Sequence, residues 1–435
     1  MASTISTDII NRSGIYQSKL ASRWIALVPI LVLAVLVRVV FINDVLYQGD
    51  MDHFAKWVQI IRNEGILKFY TADYRLGAWD RTYPQLFTLT FGAIAAVPEA
   101  SWSSNDTSHQ LLFVELIKAM PLLSELALIV VIYAWLRKQG ILAYLVPTLL
   151  AIYPGMIVTS AWWGQYEAPF TLFLVLALFA LNKDRPILAW ISFSIAILFK
   201  QPGVALGPLL LVLSYRRYGL RPTLIGMALC AAICIVIITP FAVVTGIVDA
   251  LASYLNAGDA FPFMTNNAYN FWYAVASLHK GAELKVFEPA YKDAFQIIGP
   301  LTAKYAGLFL FAVFVLLIVV LVWRNAHQKR EFVWASAVYL GFFLLPTQVH
   351  ERYLYTAGVL TLVAIAQDRR MWWIALGLMW SFSYNVLGVA IPYRWPNLTM
   401  WTGYLAVPTA LFNVALLIAL TRLNLQHKTI EATHD

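Results

Sequence analysis

The chain has 435 residues, of which 60% are apolar and only 12% charged, about half the charged share of an ordinary soluble domain. Such a composition excludes a water-soluble globule. The net charge of +8 sits in short Lys/Arg clusters between apolar runs, which is the pattern of membrane topology and not of a nucleic-acid footprint.

Residues 1–23 are polar and basic and read as a cytoplasmic tail. The run 24–43 that follows lacks a small-residue cleavage site and reads as a retained anchor. Comparable runs recur at 223–244, 301–323 and 371–391, and about 20 apolar residues cross a hydrocarbon core. Gly and Pro inside long apolar runs favour helices over a barrel. The expected fold class is therefore all-α, a polytopic transmembrane bundle of 12–14 spans. The count turns on the stretch 84–97, short for a crossing, and on whether Pro121 or Pro154 hides another one.

Basic clusters mark the inner face: Arg12, Lys19 and Arg23; Arg137 and Lys138; Lys183 and Arg185; Arg216, Arg217 and Arg221; Arg324, Lys329 and Arg330; Arg369 and Arg370; Arg422 and Lys428. Both termini then lie inside, and segments 44–83, 157–166, 244–300, 347–353 and 392–400 face out. In the first of these, Phe54, Trp57, Ile60 and Ile61 recur at helical spacing, predicting an amphipathic helix in the membrane interface. The outer segment 244–300 is rich in aromatics, Asn and Pro and is expected to cover the first. Cys230 and Cys234 share one apolar run with no His or Asp company, so they read as packed or lipid-facing thiols.

An Asp, Lys or Arg at the centre of a span costs about 2.5–3.5 kcal/mol, so charge close to the membrane needs a reason, and four polar constellations at the outer ends of apolar runs stand out. The first is Gly49-Asp50-Met51-Asp52-His53-Phe54 with Trp57, followed by Asp80-Arg81-Thr82-Tyr83-Pro84. Its carboxylates suit a general base, a metal site or solvated loop charge. The second is Trp162-Trp163-Gly164-Gln165-Tyr166-Glu167, where an interfacial aromatic belt explains the tryptophans but not Gln165 and Glu167. The third is Phe199-Lys200-Gln201-Pro202, a lone Lys at the end of an apolar run, either snorkelling or part of a site. The fourth is Pro346-Thr347-Gln348-Val349-His350-Glu351-Arg352-Tyr353, a charge triplet in a short turn, with Arg suited to forked recognition of phosphate.

As an ordered set, Asp50, Phe54 and Trp57, then Asp80 and Tyr83-Pro84, Trp163-Gly164-Gln165, Lys200-Gln201 and His350-Glu351-Arg352-Tyr353 resemble the bacterial mannosyltransferase-like members of the GT-C superfamily, a group related to the glycosylphosphatidylinositol mannosyltransferases. The resemblance covers residues 24–366, the expected catalytic module with outer loops 44–83 and 244–300. Residues 367–421 add transmembrane helices without a motif, and 422–435 form a second cytoplasmic tail. Two positions depart from the group's pattern. Gln85 stands where a second proline is common, and Glu167 stands where Asp is common, keeping the charge but lengthening the reach.

The resemblance implies an inverting glycosyltransferase that moves mannose or a similar hexose from a polyprenyl-phosphate donor to a hydroxyl on a glycolipid, glycan or protein acceptor. It implies work at the outer face of a bacterial plasma membrane, among membrane lipids and without nucleic acid. Asp50 would be the catalytic base. Asp52, Asp80, Tyr83, Gln165 and Glu167 would bind substrate, and Lys200, Gln201, His350, Glu351, Arg352 and Tyr353 the donor phosphate. No metal or other cofactor is implied, because lipid-monophosphate donors do not generally require one. The competing class is a secondary transporter, for which Arg38, Glu115, Lys118 and Glu125 inside apolar runs would be the polar path.

Overall fold

The computed structural model describes residues 24–71, 83–103, 105–258, 261–280, 292–395, 398 and 404–431. The N-terminal tail and Asp80 with its neighbours lie outside the described residues. The chain is an all-α bundle: α1 (Val28–Val39), α2 (Gln48–Glu64), α3 (Gln85–Ala95), α4 (Thr107–Leu136), α5 (Leu142–Ala151), α6 (Pro154–Trp162), α7 (Glu167–Asn182) and α8 (Pro186–Phe199). After these come α9 (Gly207–Tyr218), α10 (Leu220–Thr245), α11 (Phe271–Lys280), α12 (Ala303–Asn325), α13 (Glu331–Leu344), α14 (Leu354–Ala364), α15 (Met371–Arg394) and α16 (Ala406–Glu431). The described strands are a two-stranded ribbon, Gln296–Ile298 with Leu301–Thr302, just before α12.

Among the described residues, α4, α10, α12, α15 and Ala406–Gln426 of α16 are long and apolar enough to cross a membrane, and α5 with α6, bent by 44°, reach that length and hydropathy only as a pair, in the manner of a broken span or a re-entrant loop. Helices α1, α3, α7, α8 and α13 are apolar but of 10–17 residues. Several apolar runs are thus shorter as helices than as sequence, for a local reason. Helix α7 begins only at Glu167, α8 stops before Lys200, and α13 ends ahead of the His350 turn. The polar constellations end the helices at one side of the bundle. The stretch 84–97 yields a helix of 11 residues, roughly 16 Å at 1.5 Å per residue and too short to cross. Pro121 stays inside an unbroken α4, and the break falls instead before Pro154.

The amphipathic helix forms as expected but packs differently. Met51, Phe54, Trp57, Val58, Ile60 and Ile61 of α2 are buried in one cluster with Phe87 and Phe91 of α3 and with Tyr166. Its apolar stripe therefore faces protein, and residues 48–64 become a wall of the molecule. Residues 250–253 pack beside it: Ala250 is buried in the same cluster, Gln85 Nε2 donates to Ala250 O at 2.6 Å, and Gln201 Nε2 donates to Ser253 O at 2.8 Å.

Helices α7 and α13 carry a polar cluster at each end. At the end marked by basic clusters, Glu331 accepts from Arg217 at 2.8 Å, from Gln367 at 2.9 Å and from Asn182 at 3.3 Å, while Arg330 pairs with Asp368 at 2.7 Å. The opposite end holds Glu167 and the turn after α13, a helix length of about 24 Å away. Of the four charges that suggested a transport path, Arg38, Lys118 and Glu125 are buried and bonded within the bundle, while Glu115 is only partly buried. Arg38 donates to Glu125 at 2.7 Å and to Ala151 O at 2.7 Å, and Ser160 and Tyr355 complete the carboxylate at 2.6 and 2.8 Å. Lys118 donates to the carbonyls of Phe41 and Asp44 at 2.8 and 2.5 Å. Buried charge in such bonds is a structural fastening.

Candidate active site

Three elements meet at one cavity of about 630 Å³: the start of α2, the turn between α6 and α7, and the segment between α13 and α14. Asp50 lies in the first turn of α2, where the helix dipole favours a carboxylate. Its Oδ2 accepts from Trp163 Nε1 at 2.7 Å and from Gln165 Nε2 at 2.6 Å. Two side chains that are next-but-one neighbours reach the same oxygen because Gly164 between them adopts φ +80°, a left-handed turn that glycine takes freely. A Cβ there would also come within 3.3 Å of Met51 Cε. The Trp-Gly-Gln sequence is thus a device for holding one carboxylate. Burial pushes the Asp50 carboxyl above the ordinary Asp range, and Arg352 with the two donated hydrogen bonds pulls partly the other way.

A second wall of the same cavity holds Lys200, His350, Glu351 and Arg352, two cations set beside buried carboxylates. Lys200, just past the end of α8, pairs with buried Glu167. Arg352 lies 3.4 Å from the same carboxylate through Nε and donates from NH1 to Glu351 at 3.1 Å. Burial lowers Lys200 to about 8, with Glu167 opposing the shift. Burial also works against the Arg352 charge, but Glu351 and Glu167 more than offset it, so this guanidinium stays protonated. His350 Nδ1 is 3.3 Å from Arg352 NH1. Because a guanidinium can only donate, Nδ1 accepts and the ring proton resides on Nε2. Burial, then Arg352 and Lys200, hold His350 well below its usual range and hence neutral.

The wall has spare hydrogen-bonding capacity. His350 Nε2, Arg352 Nε and Glu167 Oε2 are buried without a hydrogen-bond partner. Unsatisfied buried groups of this kind cost about 1–3 kcal/mol each; two of the three belong to residues that line the cavity, His350 and Arg352.

Tyr83, Gln165, Lys200, Gln201, His350, Glu351, Arg352 and Tyr353 line the same cavity as Asp50. Glu167 stands behind the wall, fully buried. Asp52 departs from the expectation: two residues from Asp50 on a helix, it points elsewhere, is exposed, and accepts from Trp102 Nε1 at 2.7 Å. It does not line the cavity, so the substrate-binding role expected for it has no geometric basis here. Tyr47, Asn266 and Gln348 also line the cavity. Gln348 was visible only as part of the fourth constellation, and nothing about an Asn in a long loop marks Asn266 in sequence. Among the described residues no group of three His, Cys, Asp or Glu side chains is placed to hold a metal ion.

No curated protein matches the chain. A family match covers residues 32–389, a span that includes every wall of the cavity. The resemblance to GT-C enzymes read from the sequence agrees with it, and on this match the chain belongs to the ALG6, ALG8 glycosyltransferase family, one of the GT-C families of integral membrane glycosyltransferases.

Proposed function

We propose that this cavity transfers a monosaccharide from a polyprenyl-phosphate donor to a hydroxyl acceptor with inversion, at the outer face of the membrane, with both termini inside. The observation that carries the reading is that one cavity is lined both by a part-buried carboxylate held by two donors and by Lys200, Arg352 and a His350 whose Nε2 has no hydrogen-bond partner. The acceptor hydroxyl attacks the anomeric carbon, Asp50 receives its proton, and the bond from that carbon to the phosphate oxygen breaks with its electron pair leaving on phosphate. A carboxylate is a weak base, but the hydroxyl becomes acidic late in the transfer, and burial raises the affinity of Asp50 for the proton.

Arg352, Lys200 and the Nε2–H of His350 hold the phosphate and the charge it gains, each such donor supplying about 3–4 kcal/mol in comparable sites. Tyr83, Gln201 and Tyr353 shape the cavity, Glu351 and Glu167 keep the cations in place, and Gln165 holds the base. We assign the catalytic module to residues 24–366, with 367–421 supporting it. Helices α15 and α16 provide that support through Asn385 and Asn413, which donate to Asn267 O at 2.8 Å and Tyr269 O at 2.9 Å. The sugar is a hexose. Mannose follows from the sequence resemblance, and glucose from the family, whose namesakes are dolichyl-phosphate-glucose glucosyltransferases. The plasma membrane of a bacterium is the expected setting, and a glycolipid, glycan or protein the acceptor.

The test offers purified protein a panel of labelled polyprenyl-phosphate hexoses with membrane lipid extract as acceptor. Transfer by the wild type that is lost in Asp50→Asn, with donor binding retained, supports the assignment. Undiminished transfer by Asp50→Asn removes Asp50 as base. Arg352→Ala should weaken donor binding, and unchanged affinity counts against the phosphate role.

A further inference from the structure

The second outer segment contributes a part of the cavity that the transfer step does not use. Asn266 N donates to Val349 O at 2.9 Å and Gln348 N to Phe263 O at 3.0 Å, so residues 263–266 lie paired with 348–349, beside His350. Gln348 adopts a left-handed backbone, φ +63°, unfavourable for a residue with a Cβ. It is held there by its own side chain: Nε2 donates to Asp293 Oδ2 at 2.6 Å and to Gly258 O at 2.7 Å. Two acceptors on the nitrogen settle the orientation of the amide, so Oε1 is the free end. That oxygen is buried and has no partner, and neither has Asn266 Nδ2. One unpaired acceptor and one unpaired donor therefore sit on two paired segments that both line the cavity.

A sugar hydroxyl complements such a pair, because each hydroxyl both donates and accepts. We propose that Asn266 and Gln348 form the subsite that recognises a ring hydroxyl of the donor sugar, the hydroxyl accepting from Asn266 Nδ2 and the same or the adjacent one donating to Gln348 Oε1. The choice of donor over acceptor sugar rests on the proposed phosphate role of His350: Asn266 pairs through the backbone with His350 itself, and the sugar bonded to the phosphate is the ring within reach. The strained backbone at Gln348 is what turns its amide toward Asp293 and leaves the oxygen over.

The test uses the full-length enzyme, the parent donor, its monodeoxy analogues at each non-anomeric hydroxyl, and sugar-free polyprenyl phosphate. A site built to bond a hydroxyl discriminates strongly against its absence, so one deoxy analogue should lose about 10–100-fold in wild-type kcat/KM. In Asn266→Ala the KM for the parent donor should rise about 10-fold or more with kcat changed less than about 3-fold, and the penalty for that one analogue should shrink to about 2–3-fold. Sugar-free polyprenyl phosphate should bind Asn266→Ala as it binds wild type, which also reports that the variant is folded. Deoxy penalties identical in wild type and variant overturn the proposal, and so does an equal loss of affinity for the sugar-free lipid. If the wild type transfers from no donor, the proposed function fails. Direct binding of parent against sugar-free lipid then still decides the subsite, since equal ratios in wild type and Asn266→Ala would refute it.

Discussion

The guanidinium carbon of Arg352 lies 5.3 Å from the ring centroid of Trp163, and the N–H of that same indole donates to Asp50. One side chain thus touches both the base and the phosphate-holding cation of the proposed reaction, through its edge and its face. The two contacts are separable by substitution.

Trp163→Phe keeps an aromatic face for Arg352 and removes the N–H donated to Asp50. A hydrogen bond to a charged group is worth about 1.5–3 kcal/mol, so kcat should fall about 10–100-fold while donor affinity stays within about 2-fold. Trp163→Ala should weaken donor binding as well, since it also removes the cation–π contact. Steady-state kinetics beside direct donor binding separates the two, and equal affinity losses in both variants would argue against the edge-and-face division.

Gly164→Ala should lower activity without unfolding the protein. The substitution places a Cβ on a residue at φ +80° and close to Met51, with a backbone cost of about 1–2 kcal/mol. Relief by rotation of this turn moves Trp163 or Gln165 off Asp50, so kcat should drop about 10-fold or more with a thermal midpoint only a few degrees lower. Wild-type turnover in Gly164→Ala would show that the positive φ has no bearing on the base.

The pH profile should have two limbs. Asp50 must be ionised to accept a proton, and its affinity for protons is raised by burial. Turnover should therefore fall on acidification at a pH above the ordinary range for Asp. Lys200, lowered to about 8 by burial, holds phosphate only when charged, so donor affinity should fall as pH rises through about 8. Lys200→Arg should move the alkaline limb upward, because a guanidinium keeps its proton there. An alkaline limb that stays put in Lys200→Arg belongs to another group.

Glu125→Gln should test structure and not catalysis. Removing one partner of a buried ion pair costs about 3–5 kcal/mol, and Arg38 would keep its backbone carbonyls but lose the charge. The variant should yield less folded protein with a lower thermal midpoint, while the folded fraction turns over with normal KM. A selective rise in KM without loss of stability would instead tie this pair to substrate passage.

Much of the protein was legible as a sequence, because its causes are local and repeated. Long apolar runs specify helices wherever they lie, and among the described residues five of these helices are long and apolar enough to cross a membrane. Charge beside a bilayer is costly enough that Asp50, Glu167, Lys200 and the His350-Glu351-Arg352 turn could be singled out without knowing their neighbours. Tertiary structure alone decided which of them meet. Asp50 and Asp52 are equivalent in composition and spacing, yet helix α2 turns one to Trp163 and Gln165 and the other to Trp102. Likewise, the stripe Phe54, Trp57, Ile60 and Ile61 suits lipid and protein equally, and only the packing of Phe87, Phe91 and Tyr166 against it chose protein. Asn266 became visible only through the backbone pairing that sets it beside His350, a contact between residues 84 positions apart that no local pattern encodes.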